Sequence, residues 1–163
     1  MGAPDRRLTH VDERGAARMV DVSAKDVTSR QAVATGRVLV SADVVALLRG
    51  EGVPKGDALG VARVAGIMAA KRTPDLVPLC HPIALTGVRV ELDLGEDSVR
   101  ISATVKTTDR TGVEMEALTA VAVAGLTLHD MVKAVDPAAV LDAVRVERKD
   151  GGKTGSWVRP EDR

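Results

Sequence analysis

An α+β sandwich, one antiparallel sheet covered on one face by two long helices, is the fold that three features of this 163-residue sequence predict. The first is a pair of helical segments rich in small residues, over 58–72 and 113–134. The second is a hairpin between them, in which 85–94 and 98–108 alternate apolar and polar side chains across a Gly95-Glu-Asp turn. The third is a β-branched stretch on either side, 28–41 before the first helix and 143–149 after the second.

Residues 1–16 mix Asp, Arg, Glu and Gly without periodicity and read as a flexible arm. That leaves 17–155 as a single domain and 156–163 as a C-terminal tail, read as loop. Residues 28–41 read as a strand, or as a hairpin bent at Gly36. Ser41 is placed to cap a short helix over 42–49 that Gly50 closes. A loop over 51–56 carries Lys55, and Asp57 caps the helix that follows, whose Gly60, Ala62, Ala65, Gly66, Ala69 and Ala70 suit close packing. In the connector 74–82, Pro74, Pro78 and Pro82 fix the backbone and argue against a regular helix or a central strand. The hairpin is expected to turn Arg89, Glu91, Asp93, Arg100 and Lys106 away from the core, leaving the outer sheet face free for subunit contact. Residues 113–134 are apolar almost all round and should form a helix buried rather than half wet. Asp136-Pro137 ends it, and 137–141 is expected to be a turn. With the short helix set aside, the order from Thr28 is β-α-β-β-α-β, the ferredoxin-like plan. That plan hosts many unrelated chemistries, so function must be read from sites.

Composition narrows the classes. Lys plus Arg is 23 and Asp plus Glu is 23, so no overall field draws in nucleic acid or a membrane. One Trp with no Phe or Tyr argues against base-stacking RNA- and single-strand-binding surfaces. The single Cys80 excludes an internal disulfide and the usual structural zinc sites, and fits a reducing, cytoplasmic setting. The N-terminal stretch has no apolar core of a signal peptide, and no run is judged long and apolar enough to span a bilayer, so a soluble protein is expected. Gly2 does not meet the myristoylation pattern, because Arg6 stands where Ser or Thr is needed.

The helix over 113–134 carries Glu114 and Glu116 at one end and Asp130 and Lys133 at the other. Two readings stand side by side. The charges cap the helix dipole, with Asp130 offset by Lys133 at i+3. Alternatively, Asp130 and Lys133 at the edge of a core are tuned for proton transfer. Glu116 and Asp130 are 14 positions apart in the sequence. On a helix that is about 21 Å, too far for one small reacting centre. Either the two acids serve different sites, or a symmetric neighbour brings its Glu116 end toward this chain's Asp130 end; the second, an isologous dimer with shared active sites, is the expectation.

Further candidates lie on loops. Lys149 and Lys153 flank Gly151-Gly152, a turn whose amides can hold phosphate, or that is simply solvated. It is not a nucleotide P-loop, since Glu147 stands where that signature needs Gly. Lys25, Arg30 and Lys55 are loop-borne cations of the same kind, with Lys55 just before a helix N-terminus. His81 is an acid-base or hydrogen-bonding candidate, because an imidazole titrates near neutrality. His10, His81 and His129 have no metal-ligand spacing.

Leu79-Cys-His-Pro82, 111–120 (TGVEMEALTA), 129–134 (HDMVKA) and 149–155 (KDGGKTG) together resemble the molybdenum-cofactor biosynthesis protein C family, the cyclic pyranopterin monophosphate synthases. Met19-Val-Asp-Val-Ser, the Lys55-Gly-Asp turn and the run into Pro82 match as well, so the resemblance covers about 8–155. His129 and Val132 depart from it, standing where related sequences often carry an aromatic and a cysteine. The resemblance implies a ferredoxin-like subunit in a homohexamer, a trimer of dimers with active sites at subunit interfaces. It implies a lyase that rearranges a cyclised dihydro-GTP, supplied by a radical-SAM enzyme, and releases pyrophosphate. Carried onto this chain, Asp130 is the acid-base group and Lys133 its essential neighbour, with Lys55, His81 and Lys149 also catalytic. Leu79, Cys80, His81, Glu114, Met115, Glu116, Lys25 and Arg30 are the implied substrate contacts. No protein-borne metal or organic cofactor is expected; Mg2+ is a candidate only as a companion of the substrate triphosphate. The competing class is a non-catalytic nucleotide- or effector-binding module on the same plan.

Overall fold

The computed structural model describes residues 7–50 and 57–161. Lys55 and the rest of the 51–56 loop lie outside the described residues, as does Gly2. The elements are β1 (Thr28–Leu39), α1 (Ala42–Leu48), α2 (Ala58–Ala70), α3 (Thr73–Leu76), β2 (Leu85–Leu94), β3 (Ser98–Asp109), α4 (Glu114–Val132), β4 (Val140–Asp150) and β5 (Trp157–Val158). The sheet order is β2-β3-β1-β4-β5, with every described neighbour antiparallel, which is the ferredoxin-like arrangement with one added edge strand.

Register decides which side chains meet the helices. Ala32, Ala34 and Val38 of β1 pair with Val105, Ala103 and Val99 of β3, and all six are buried on one face beneath α4 and α2. Gly36 lies on the same face, directly under Val121 of α4, so the chain needs no side chain there and β1 runs through as one strand rather than a bent hairpin. The opposite face carries Arg89, Glu91, Arg37, Asp142, Arg145 and Glu147, joined by ion pairs at 2.6 to 2.7 Å. The caps fall where the sequence puts them: Ser41 Oγ accepts from the Val44 amide at 3.4 Å, and Asp57 Oδ1 from the Gly60 amide at 2.8 Å.

Five local expectations need correction. Thr73–Leu76 forms a helical turn despite Pro74, because proline in the first turn gives up an amide that has no intrahelical partner anyway. β4 begins at Val140 rather than 143; a positive φ of 52° at Ala143 and a register shift against β1 break the alternation that would have revealed it. The tail contributes β5. α4 is buried on one side only, with Leu126 60% exposed and Met115 and Met131 also open, since the sheet and α2 cover a single stripe. Finally, α4 is long and apolar enough to cross a bilayer by length and composition, 19 residues at mean hydropathy 1.3, contrary to the expectation that no run is. Here it packs as a core helix on the sheet and α2, burying Glu116 along with its apolar stripe.

Candidate active site

Because β1 is antiparallel to both neighbours, its N-terminus meets the C-termini of β3 and β4. Thr28 faces Asp109, and Gln31 faces Asp150. The N-terminus of α4 arrives at the same end of the sandwich, where Lys149 Nζ lies 3.3 Å from Glu114 Oε1. A cavity of about 810 Å³ opens there, with Lys25, Arg30, Lys149 and Lys153 supplying cations and Asp26, Glu114 and Asp150 supplying acids.

The local balance favours an anion. Asp150 is engaged by the forked Arg148 guanidinium at 2.8 and 3.0 Å, which holds its carboxyl below the usual range, and Glu114 is engaged by Lys149. Arg30 is held in place by a bond from its Nε to the Asp109 carbonyl at 3.0 Å, and Arg110 Nε ties the Lys25 carbonyl to the start of α4 at the same distance. The turn that completes the wall needs glycine twice. Gly151 and Gly152 have φ of 92° and 78°, and a Cβ on either would strike the Ser29 carbonyl or the Arg30 guanidinium. The Thr28 hydroxyl, buried in the wall, has no hydrogen-bond partner among the described residues.

Glu116 is only 3% exposed on the first turn of α4, and burial, with the Glu114 carboxylate adding to it, pushes its carboxyl up to about 7. Cys80 is near enough to feel it: burial first, then the Glu116 charge, raises the thiol, which makes it a poor nucleophile. His81 Nε2 donates to the Val20 carbonyl at 2.6 Å, so that nitrogen carries a proton and anchors the 18–22 segment, leaving Nδ1 for other work. Met115 is half exposed, and its carbonyl accepts from the Thr119 hydroxyl at 2.7 Å. Among the described residues no group of three or more His, Cys, Asp or Glu is placed to hold a metal ion.

Asp130 and Lys133 are at the other end of α4. Lys133 Nζ donates to Asp130 Oδ1 at 2.7 Å, and that bond, with the charge behind it, lowers the carboxyl. Both side chains are open to solvent, 72% and 60% exposed. The structure thus groups Lys25, Arg30, Glu114 and Lys149 around one cavity, sets Cys80 near Glu116, and ties His81 to the 18–22 segment. It leaves Asp130 and Lys133 about 21 Å down the helix.

The sequence model of the MoaC family matches residues 19–152. The chain belongs to the MoaC family. Among curated relatives, a cyclic pyranopterin monophosphate synthase of Nocardioides sp. is 72% identical over 98% of this chain and all of its own length. One from Streptomyces coelicolor is 70% identical over 96% of this chain and 92% of its own length. Cyclic pyranopterin monophosphate synthase 2 of Mycobacterium bovis is 62% identical over 97% of this chain and 96% of its own length.

In this MoaC chain the wall residues not foreseen from sequence include Asp26, Thr28 and Gln31, with the supports Asp109 and Arg110. Thr28 looked like an ordinary strand residue. The supports act through the Asp109 and Lys25 carbonyls, which carry no signal in side-chain type.

Proposed function

We propose that this chain is a cyclic pyranopterin monophosphate synthase. It converts 3′,8-cyclo-7,8-dihydroguanosine 5′-triphosphate to cyclic pyranopterin monophosphate and pyrophosphate, a lyase step in molybdenum-cofactor biosynthesis. The observation that carries this reading is the gathering of Lys25, Arg30, Lys149 and Lys153 with a glycine turn around one cavity of a MoaC fold.

Closing the cyclic phosphate breaks the bond between the α- and β-phosphates, and negative charge builds on the departing pyrophosphate. In this reading Lys149, Arg30 and Lys153, which line the cavity, stabilise that charge. Rearranging the purine-derived ring moves protons repeatedly. Asp130 and Lys133, already sharing a hydrogen bond, are the acid-base pair in this reading, and Glu116 holds a proton near neutrality that it can donate to a ring heteroatom. Since one α4 separates the two groups, the Asp130–Lys133 end is supplied by a second copy, in a homohexamer built as a trimer of dimers. Leu79, Cys80 and Met115 contact substrate, and Lys55 joins the catalytic set. An upstream radical-SAM enzyme supplies the cyclised nucleotide, and any Mg2+ arrives on its triphosphate.

Incubating the purified chain with the cyclised nucleotide and following phosphorus NMR tests the reading. Wild type should release one pyrophosphate per turnover, and Lys133→Ala should slow release by at least about 100-fold. Nucleotide binding without pyrophosphate would identify an effector module instead, and undiminished release from Lys133→Ala would overturn the assigned role.

A further inference from the structure

The family match stops at residue 152, yet the chain beyond it is built onto the site. β5 folds back on the end of β4, with Trp157 opposite Lys149 and Val158 opposite Arg148. The loop between them is tied at its neck. Ser156 Oγ donates to Asp150 Oδ1 at 2.7 Å, on the carboxylate that Arg148 already grips, and the Gly155 amide donates to the Gly152 carbonyl at 3.2 Å. Arg159 locks the far side: its amide donates to the Glu147 carbonyl at 2.8 Å, its Nε to the Val146 carbonyl at 2.7 Å, and its guanidinium lies 5.6 Å from the centre of the Trp157 ring. Everything inside this closed hairpin, from Lys149 through Thr154, lines the cavity. The opposite side of the turn is pressed against Ser29 and Arg30 of β1.

We propose that the 156–159 segment is a positioning clasp: by pairing with β4 and closing the 150–156 loop, it fixes Lys149 and Lys153 over the cavity and sets the site's affinity for the pyrophosphate portion of the substrate. Without it β4 ends as an open edge, and two long cationic side chains ride on a tethered-at-one-end turn. Ordering them then opposes binding, whereas in the clasped loop most of that freedom is already lost. The identity of the ligand rests on the synthase reading; the mechanics of the loop do not.

The test compares the full chain with a chain ending at Gly155 and with Ser156→Ala, Ser156→Thr and Arg159→Ala. Pyrophosphate binding is measured by calorimetry, which needs no turnover, and KM and kcat are measured with the cyclised nucleotide. The clasp predicts that the pyrophosphate Kd and the KM rise about tenfold in the shortened chain and the two alanine variants. It predicts kcat within about twofold of wild type, with Ser156→Thr, which keeps the hydroxyl, close to normal. Unchanged pyrophosphate affinity, or a fall in kcat at constant KM, overturns it. A wild-type protein that binds pyrophosphate but releases none from the nucleotide defeats the synthase reading, while the binding comparison still decides the clasp. A wild type that does not bind pyrophosphate defeats the clasp.

Discussion

Glu116 stands apart from the other acids at single-residue scale. Asp21, Asp130, Asp142 and Asp150 are held below the usual carboxyl range, whereas Glu116 is pushed up to about 7 from an ordinary 4.5 by burial and then by Glu114. Between those two values the native protein keeps a proton that the unfolded chain has released. Stability therefore falls as pH rises through 4.5 to about 7 and levels off above. Glu116→Gln keeps the shape and removes the ionisation. The difference in urea-unfolding free energy between wild type and Glu116→Gln should move in favour of the variant by on the order of 2–3 kcal/mol from pH 4.5 to pH 8. A difference that does not vary with pH would refute the burial account. In sequence Glu116 reads adequately as a helix-dipole cap, and only the family resemblance marks it as a substrate contact. That it faces inward was not legible, since the helix is apolar on every side and its periodicity does not mark a buried stripe.

At the scale of elements, the close approach of α2 to α4 decides how well α4 is held. A Cβ on Gly66 would come within 2.8 Å of the Ala120 carbonyl and 3.2 Å of the Ala124 methyl. On an isolated helix Gly→Ala is stabilising by about 1 kcal/mol. Here the obstructing atom is backbone of a packed helix, so overpacking, typically about 1–3 kcal/mol, wins. Gly66→Ala is expected to lower the unfolding free energy by about 1–2 kcal/mol in chemical denaturation, and a stabilised variant would show that the helices can part at no cost. The elements that could be read from sequence are those with a local cause: the caps at Ser41 and Asp57, the alternating hairpin and the small-residue helices. α3, the first residues of β4 and β5 escaped because each is made by its neighbours. Pro74 is tolerated by position, Val140 is recruited by Leu39 across the sheet, and Trp157 by Lys149.

The whole molecule poses one question that a single copy does not answer: the cavity lined by Lys25, Arg30, Lys149 and Lys153 is at one end of α4, and the Asp130–Lys133 pair is exposed at the other. The 14-position separation made this visible in the sequence, and the α4 span of Glu114–Val132 as one unbroken helix rules out a kink that would fold the ends together. A composite site makes a quantitative demand on mixed assemblies. Let one variant lose the distal pair by Lys133→Ala and another lose the cavity by Lys149→Ala, each inactive alone. In a dimer of the two, one site combines both lesions and is dead, while the other joins the intact cavity of the first copy to the intact distal pair of the second. Random exchange in an equal mixture makes about half the dimers mixed, so about a quarter of the sites should be restored. Unfolding and refolding the variants together, then measuring pyrophosphate release, should recover roughly that fraction of wild-type activity, whereas the same variants refolded separately and then combined without exchange should stay inactive. If the mixture stays as inactive as its components although light scattering shows the copies have assembled together, each chain must complete its own site. The inactivity of Lys133→Ala would then have to come from a role other than proton transfer at the cavity.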